Sequence, residues 1–193
     1  MPPNADVSDP LSLRRYDARD ADAVWTLHGW AMRETGVDPS AIPGTEDLRD
    51  VSGSYLDAGG DFLVGVVDER RERTEGGTHD DRPPATFDGR VVAMGGILPN
   101  EAGHADERSV PGAAELHRMR VAPTHQRRGY GRRLLAELEA RAAALGRDPV
   151  LATTAKRQSG AVALYRGAGY EAVGESREAG YDLVHFEKRL DAA

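Results

Sequence analysis

The densest run of residues able to do chemistry is Val121-Ala122-Pro123-Thr124-His125-Gln126-Arg127-Arg128-Gly129-Tyr130-Gly131-Arg132-Arg133-Leu134-Leu135. In it an apolar strand ends, a glycine-containing loop follows, and an amphipathic helix begins. At such a junction the first-turn N–H groups lack carbonyl partners, the helix dipole favours negative charge, and glycines let the main chain approach an oxyanion closely. Arg127, Arg128, Arg132 and Arg133 add positive charge. The pattern predicts a cradle for a phosphate or pyrophosphate. It is not a Walker loop, which needs Gly-Lys-Ser/Thr, nor the longer dinucleotide fingerprint.

Two other groups of polar residues flank this cradle. Upstream, strand alternation over 114–121 would place Glu115, His117, Met119 and Val121 on one face. Downstream, Ser159-Gly160-Ala161-Val162-Ala163-Leu164-Tyr165 reads as a short helix bearing one tyrosine. The chain has no cysteine, so any thiol chemistry must come from a ligand. His28, His79, His104, His125 and His185 have no ligand-like spacing, and no metal site is expected.

The elements that must position these residues follow from periodicity. Strands are expected at 11–16, 62–67, 90–98, 114–121, 149–154, 170–174 and 181–186. Helices are expected at 23–31, 45–58, 130–145 and 159–167. Residues 69–88, dense in Arg, Glu, Asp, Gly and Pro, read as an exposed insertion in a hairpin, and 100–112 as a polar loop. The order β-α-α-β-β-β-α-β-α-β-β mixes hairpins with crossover helices and predicts a mixed, mostly antiparallel α/β sheet. At 193 residues the chain suits one domain over 11–190 behind a flexible arm, 1–10.

Composition narrows the partners. Twenty-five Lys plus Arg against 32 Asp plus Glu gives a formal charge of -7, which opposes attraction to nucleic acid or anionic membranes. The start of the chain lacks a basic segment leading into an apolar run, and no stretch approaches the roughly 18 apolar residues of a membrane span. A cytoplasmic location is therefore expected.

The cradle segment resembles the GCN5-related N-acetyltransferase (GNAT) superfamily. Its signature is a strand ending Val-x-Pro, then Gln/Arg-x-x-Gly-x-Gly/Ala at the head of a helix. Val121, Pro123, Gln126, Gly129 and Gly131 stand at the matching places. A second block, Ser159 to Tyr170, is similar to the family's Asn-x-x-Ala-x-x-Leu-Tyr-x-x-x-Gly-Phe pattern. Ser159 replaces the asparagine there, and Val162 lies one place from the usual alanine register. The resemblance spans nearly the whole chain.

The resemblance implies a sheet of about seven strands with about four helices, binding of acetyl-CoA as co-substrate, and transfer of the acetyl group to an amine. By similarity, N–H groups between Arg127 and Arg132, with Gln126, Arg128, Gly129, Tyr130 and Gly131, would hold the pyrophosphate. Main-chain groups of Met119 and Val121, on a strand splayed by a bulge, would meet the thioester and pantetheine, and Ser159 would add one bond. Tyr165 matches a tyrosine that sits near the sulfur and can protonate the leaving thiolate. Attack needs a neutral amine, whose ordinary pKa is near 10, so a base or a water chain is required. Glu115 matches the position of a glutamate base in the histone-acetylating branch, with His117 as partner or substitute. The acceptor is expected to be a small-molecule or peptide amine, and a homodimer through the last strands is possible within the family. A non-catalytic acyl-CoA-binding regulatory module is the alternative.

Overall fold

A computed structural model of the chain describes residues 11–34, 36, 45–68, 82–102, 109–178 and 180–190. The expected arm at 1–10, the 69–81 part of the insertion and the 103–108 part of the polar loop lie outside them. Strands β1 (Ser12–Arg15), β2 (Asp61–Val67), β3 (Ala85–Thr86), β4 (Gly89–Pro99), β5 (Ala114–Val121), β6 (Val150–Ala155), β7 (Glu171–Glu178) and β8 (Tyr181–Lys188) form one sheet. Its order is β1-β2-β4-β5-β6-β8-β7, with β3 pairing to β4. Every neighbour is antiparallel except β5 and β6. The helix α2 (Tyr130–Ala144) makes the crossover that this parallel pair requires.

Helices α1 (Ala21–Glu34) and α2 cover opposite faces, which is why β2 and most of β4 are apolar on both sides. On the α1 face Val24, Leu27, Leu48, Tyr55, Phe62 and Met94 are buried together. On the α2 face Leu63, Ala93, Ile97, Leu116, Leu134, Leu138 and Phe186 form the second layer. The last helix, α3 (Ser159–Gly167), packs beside β6 and β7.

The helix expected over 45–58 is instead a 3-10 turn, Thr45–Arg49, followed by a π-helical turn, Ser52–Leu56. The Asp50 carboxylate accepts a hydrogen bond from the Gly53 N–H at 3.0 Å and occupies the space that a Cβ at 53 would need. That side chain competes with regular helical pairing. The end of the expected insertion is also ordered: β3 and the turn to β4 carry Phe87 between the guanidiniums of Arg14 and Arg19. Arg14 clamps this turn to the start of α1 through Asp88 and the fully buried Asp20.

A bulge in β5 changes which side chains share a face. His117 pairs with Gly96 and Arg120 with Met94, so Arg118 and Met119 together oppose the single residue Gly95. Arg118 takes φ +54°, in the left-handed region. Gly95 allows the fit, since a Cβ there would lie 2.7 Å from the Met119 sulfur. The expectation that Glu115, His117 and Met119 share a face is therefore corrected. Glu115, His117 and Arg120 face α1, and Met119 packs with the α2 layer.

His28 on α1 is fully buried, and neither ring nitrogen has a hydrogen-bond partner. Burial, with the nearby Arg120 and Arg118 charges, pulls its pKa down to about 4. The unfolded chain then binds more protons than the native one between about pH 4 and 6.5, so stability falls on acidification through that window. A shift of this size corresponds to about 3 kcal/mol. Replacing His28 by Phe is expected to flatten the dependence of melting temperature on pH between pH 6.5 and 4.5. Equal slopes in variant and wild type would exclude this role for His28.

Candidate active site

The site begins where β5 and β6 part. They pair only at Ala114–Val150, Glu115–Leu151 and Leu116–Ala152. Beyond that, β6 stays with β8 as far as Ala155–Leu183, while β5 stays with β4. Both freed edges line a cavity of about 1520 Å³ that opens through the sheet. This exceeds the roughly 300–1,000 Å³ of a typical small-molecule pocket, leaving room for a large ligand and a second reactant.

One end of the cavity is the glycine loop and helix start that the sequence reads as an anion cradle. Gly129 caps α2 at φ +84° with nothing within 4 Å of a built Cβ, and Arg127 is also left-handed, at φ +64°. Successive turns of this kind aim N–H groups into one concavity, at the positive end of a helix. Gln126, Arg127, Gly129, Gly131, Arg132 and Ser159 line it. Arg132 also donates to the Gly167 carbonyl at 2.7 Å, linking the start of α2 to the end of α3. Gln126 donates to the Val121 carbonyl at 3.3 Å, and Arg120 to the Met119 carbonyl at 2.8 Å. A ligand using those two carbonyls would have to share or displace these donors.

Not all of the expected cradle residues reach the cavity. The Tyr130 ring is buried and stacks on His125, with centroids 6.0 Å apart, so only its main chain is placed for an anion. Arg128 is not among the residues that line the space. Arg133 turns toward β1 and donates to the Leu11 carbonyl.

Deeper in the cavity lie Glu115, His117 and Tyr165. Glu115 is 3% exposed and accepts from Asn100 Nδ2 at 2.8 Å and Thr153 Oγ1 at 3.4 Å. From Thr153 the hydrogen bonds continue to His185 Nδ1 at 3.1 Å. His185 Nε2 lies 3.0 Å from Ser176 Oγ, which donates to Glu178. This chain of polar groups crosses β5, β6, β8 and β7 on one face, from the buried carboxylate to the rim. Tyr165 is wedged against Tyr170 and Phe186, and burial pushes its pKa up to about 12, against the lowering influence of Arg120.

Beneath the bulge, Arg118 Nε donates to Asp47 Oδ2 at 2.8 Å, and Tyr55 donates to the same oxygen at 2.6 Å. The Arg118 and Asp47 side chains are only 12% and 10% exposed. Asn100, Thr153, His185 and Arg120 were not singled out from the sequence. The available signal was a polar side chain inside an otherwise apolar strand, at Thr153 and His185. Asn100 gave none, because the loop that follows β4 reads as solvated. Among the described residues, no group of three or more His, Cys, Asp or Glu is placed to hold a metal ion. Nor is any helix among them long and apolar enough to cross a membrane.

Residues 53–170 match the family model described as Acetyltransferase (GNAT) family. A comparison with curated proteins finds no match. Among solved structures, yncA from Salmonella typhimurium with its cofactor acetyl-CoA superposes with a TM-score of 0.67 at 18% identity, covering 96% of both chains. The ribosomal-protein-alanine N-acetyltransferase from Brucella melitensis gives 0.64 at 22% identity, over 93% of this chain and 99% of that one. A GNAT-family acetyltransferase from Staphylococcus aureus gives 0.66 at 13% identity, over 92% and 98%. At these identities the likeness is one of fold.

The buried Arg118–Asp47 pair supports the strained bulge, so breaking it should be costly. Asp47→Asn is expected to lower stability by about 3 kcal/mol, since it removes one charge of a mostly buried ion pair. Chemical denaturation measures this, and a loss below about 1 kcal/mol, as for an exposed pair, would refute it.

Proposed function

Since the chain belongs to the GNAT acetyltransferase family, we propose that it transfers an acetyl group from acetyl-CoA to the amine of a small molecule or peptide by direct attack. The observation that carries this is one cavity lined at one end by the glycine loop and the start of α2, and deeper in by a buried glutamate and a buried tyrosine. The acetyl-CoA held by the yncA structure supports the same donor here. The cradle fits its pyrophosphate: Gly129 leaves the approach to the helix N-terminus open, and Arg127 and Arg132 supply charge. Acetyl-CoA supplies a thioester, activated for acyl transfer.

In this reading Glu115 takes a proton from the acceptor ammonium. The freed nitrogen lone pair forms the N–C bond while the C–S bond breaks, and the second nitrogen proton passes to the departing thiolate, so that an amide and the free thiol are released. Asn100 and Thr153 hold the carboxylate in place, and the proton leaves through Thr153, His185, Ser176 and Glu178 toward the rim. Tyr165 remains protonated at neutral pH and points its hydroxyl toward the departing sulfur. Full proton transfer from a group at about 12 to a thiolate near 8.5 is uphill by about 5 kcal/mol. Tyr165 therefore stabilises the thiolate as a hydrogen-bond donor during cleavage and does not deliver its proton outright. With no cysteine to carry the acyl group, a ternary complex is the simplest route.

Acetyl-CoA at a hundred times its Kd is expected to stabilise the fold by about 2.7 kcal/mol, seen as a rise in melting temperature. No rise with folded protein would sink the proposal, whereas a rise without thiol release against any amine would point to a regulatory acyl-CoA-binding module. Tyr165→Phe should cut kcat by about 100-fold with acetyl-CoA affinity unchanged. Glu115→Gln should cut kcat most near pH 7 and progressively less as pH approaches the amine pKa, where the substrate arrives neutral. A loss independent of pH would remove the base role.

A further inference from the structure

The bulge in β5 gives the cavity two different sides. The cradle at the start of α2 and the Tyr165 ring belong with the α2 layer, whereas Glu115, His117 and Arg120 project toward α1. A donor held by the cradle thus reaches the gap from one side, and the acceptor amine must meet Glu115 from the other. The charges on that second side decide what the acceptor can be.

Most of them are already committed. Asp47 Oδ2 accepts from Arg118 and Tyr55, and although its Oδ1 is buried without a hydrogen-bond partner, Asp47 is not among the residues that line the cavity. Glu115 is bound by Asn100 and Thr153. His28 is buried and neutral near pH 7. Arg120 differs. It lines the cavity, its Nε is buried with no hydrogen-bond partner, and its guanidinium makes one hydrogen bond, to the Met119 carbonyl. Among the described residues no carboxylate lies within ion-pair distance of it. Burial and the neighbouring Arg118 charge pull its pKa down to about 10, so it stays cationic at neutral pH. The residue is part-buried with its Nε shut from water, a cation held there without a counter-ion is costly, and a guanidinium offers the fork that a carboxylate fills with two parallel bonds.

We propose that Arg120 receives a carboxylate carried by the acceptor, which makes the acceptor a small amine of the amino-acid type, with its nitrogen toward Glu115 and its carboxylate on Arg120. This rests on the transferase reading and narrows it. The net charge of -7 suggests cationic acceptors, but the acceptor side of the cavity presents an uncommitted positive charge. An amine with a carboxylate satisfies both: the ammonium is drawn by the acidic surface and by Glu115, and the anion settles on Arg120.

The test uses the full chain, acetyl-CoA and matched pairs of amines: free amino acids and the same compounds lacking the carboxylate, read by thiol release. The carboxylate-bearing members are expected to be favoured by about tenfold or more in kcat/KM. Arg120→Met should abolish the preference, chiefly through KM, and Arg120→Lys should keep part of it. Equal or faster turnover of the decarboxylated members overturns the assignment and leaves the transferase standing. No thiol release from any pair by protein that binds acetyl-CoA overturns this inference, and the transferase reading falls with it only if peptide and other amines also release no thiol. A second measurement needs no turnover. Calorimetric titration of the CoA-saturated protein with N-acetylamino acids should give binding about tenfold weaker in Arg120→Met than in wild type, and N-alkylacetamides should show no difference. Equal binding of the acids to both proteins overturns the proposal. Removing an uncompensated cation should also leave the melting temperature of Arg120→Met at or above that of wild type. A drop of more than about 5 °C would mark Arg120 as structural and overturn the assignment.

Discussion

The conformation of Arg118 is the constraint on which the rest of the site depends. A non-glycine residue in the left-handed region costs on the order of 1–3 kcal/mol and persists only when its surroundings over-determine it. Here the surroundings are Asp47 and Tyr55, which hold the Arg118 side chain in a half-dry pocket under α1. The extra residue twists β5 away from β6 after three paired positions. It also reverses the side-chain alternation, so Met119 turns to one face and Arg120 to the other. Both strand edges beyond the last pair line the cavity.

The same step sorts the electrostatics. The chain carries a formal charge of -7, yet Arg118, Arg120, Arg127, Arg132 and Arg157 all line one cavity. Those near the start of α2 add to the helix dipole and suit an anionic cofactor. Arg118 is neutralised internally. Arg120 has no carboxylate partner among the described residues, and its charge offsets part of the rise that burial gives the Tyr165 pKa. The low-dielectric interior strengthens each of these effects, so a few buried arginines dominate local chemistry against a larger acidic surface.

Much of the fold was legible because it is written in periodicity. The strands over 62–67, 90–98 and 114–121 and the helices over 130–145 and 159–167 appear within a few residues of their expected ends. The segment over 45–58 departs from a regular helix because the Asp50 side chain competes for the Gly53 N–H. β7 and β8 extend past their expected ends, since pairing with each other and with β6 carries polar residues such as Ser176 and His185 into the sheet. Periodicity reports which residues shun water and cannot report such pairing.

The sequence by itself determined the strand–loop–helix junction, because that junction is local: a strand end, glycines at 129 and 131 and a helix start lie within fifteen residues. The resemblance carried by the sequence motifs pointed to Glu115 and Tyr165, and both line the cavity. Only the tertiary structure decided that a bulge turns Met119 away from Glu115 and that Tyr130 faces the core. It alone joined Asn100, Thr153 and His185 to the carboxylate, and left Arg120 as an uncommitted charge. Each of these depends on contacts between residues far apart in the chain, set by strand register and by burial, and neither is written in the spacing of residue types.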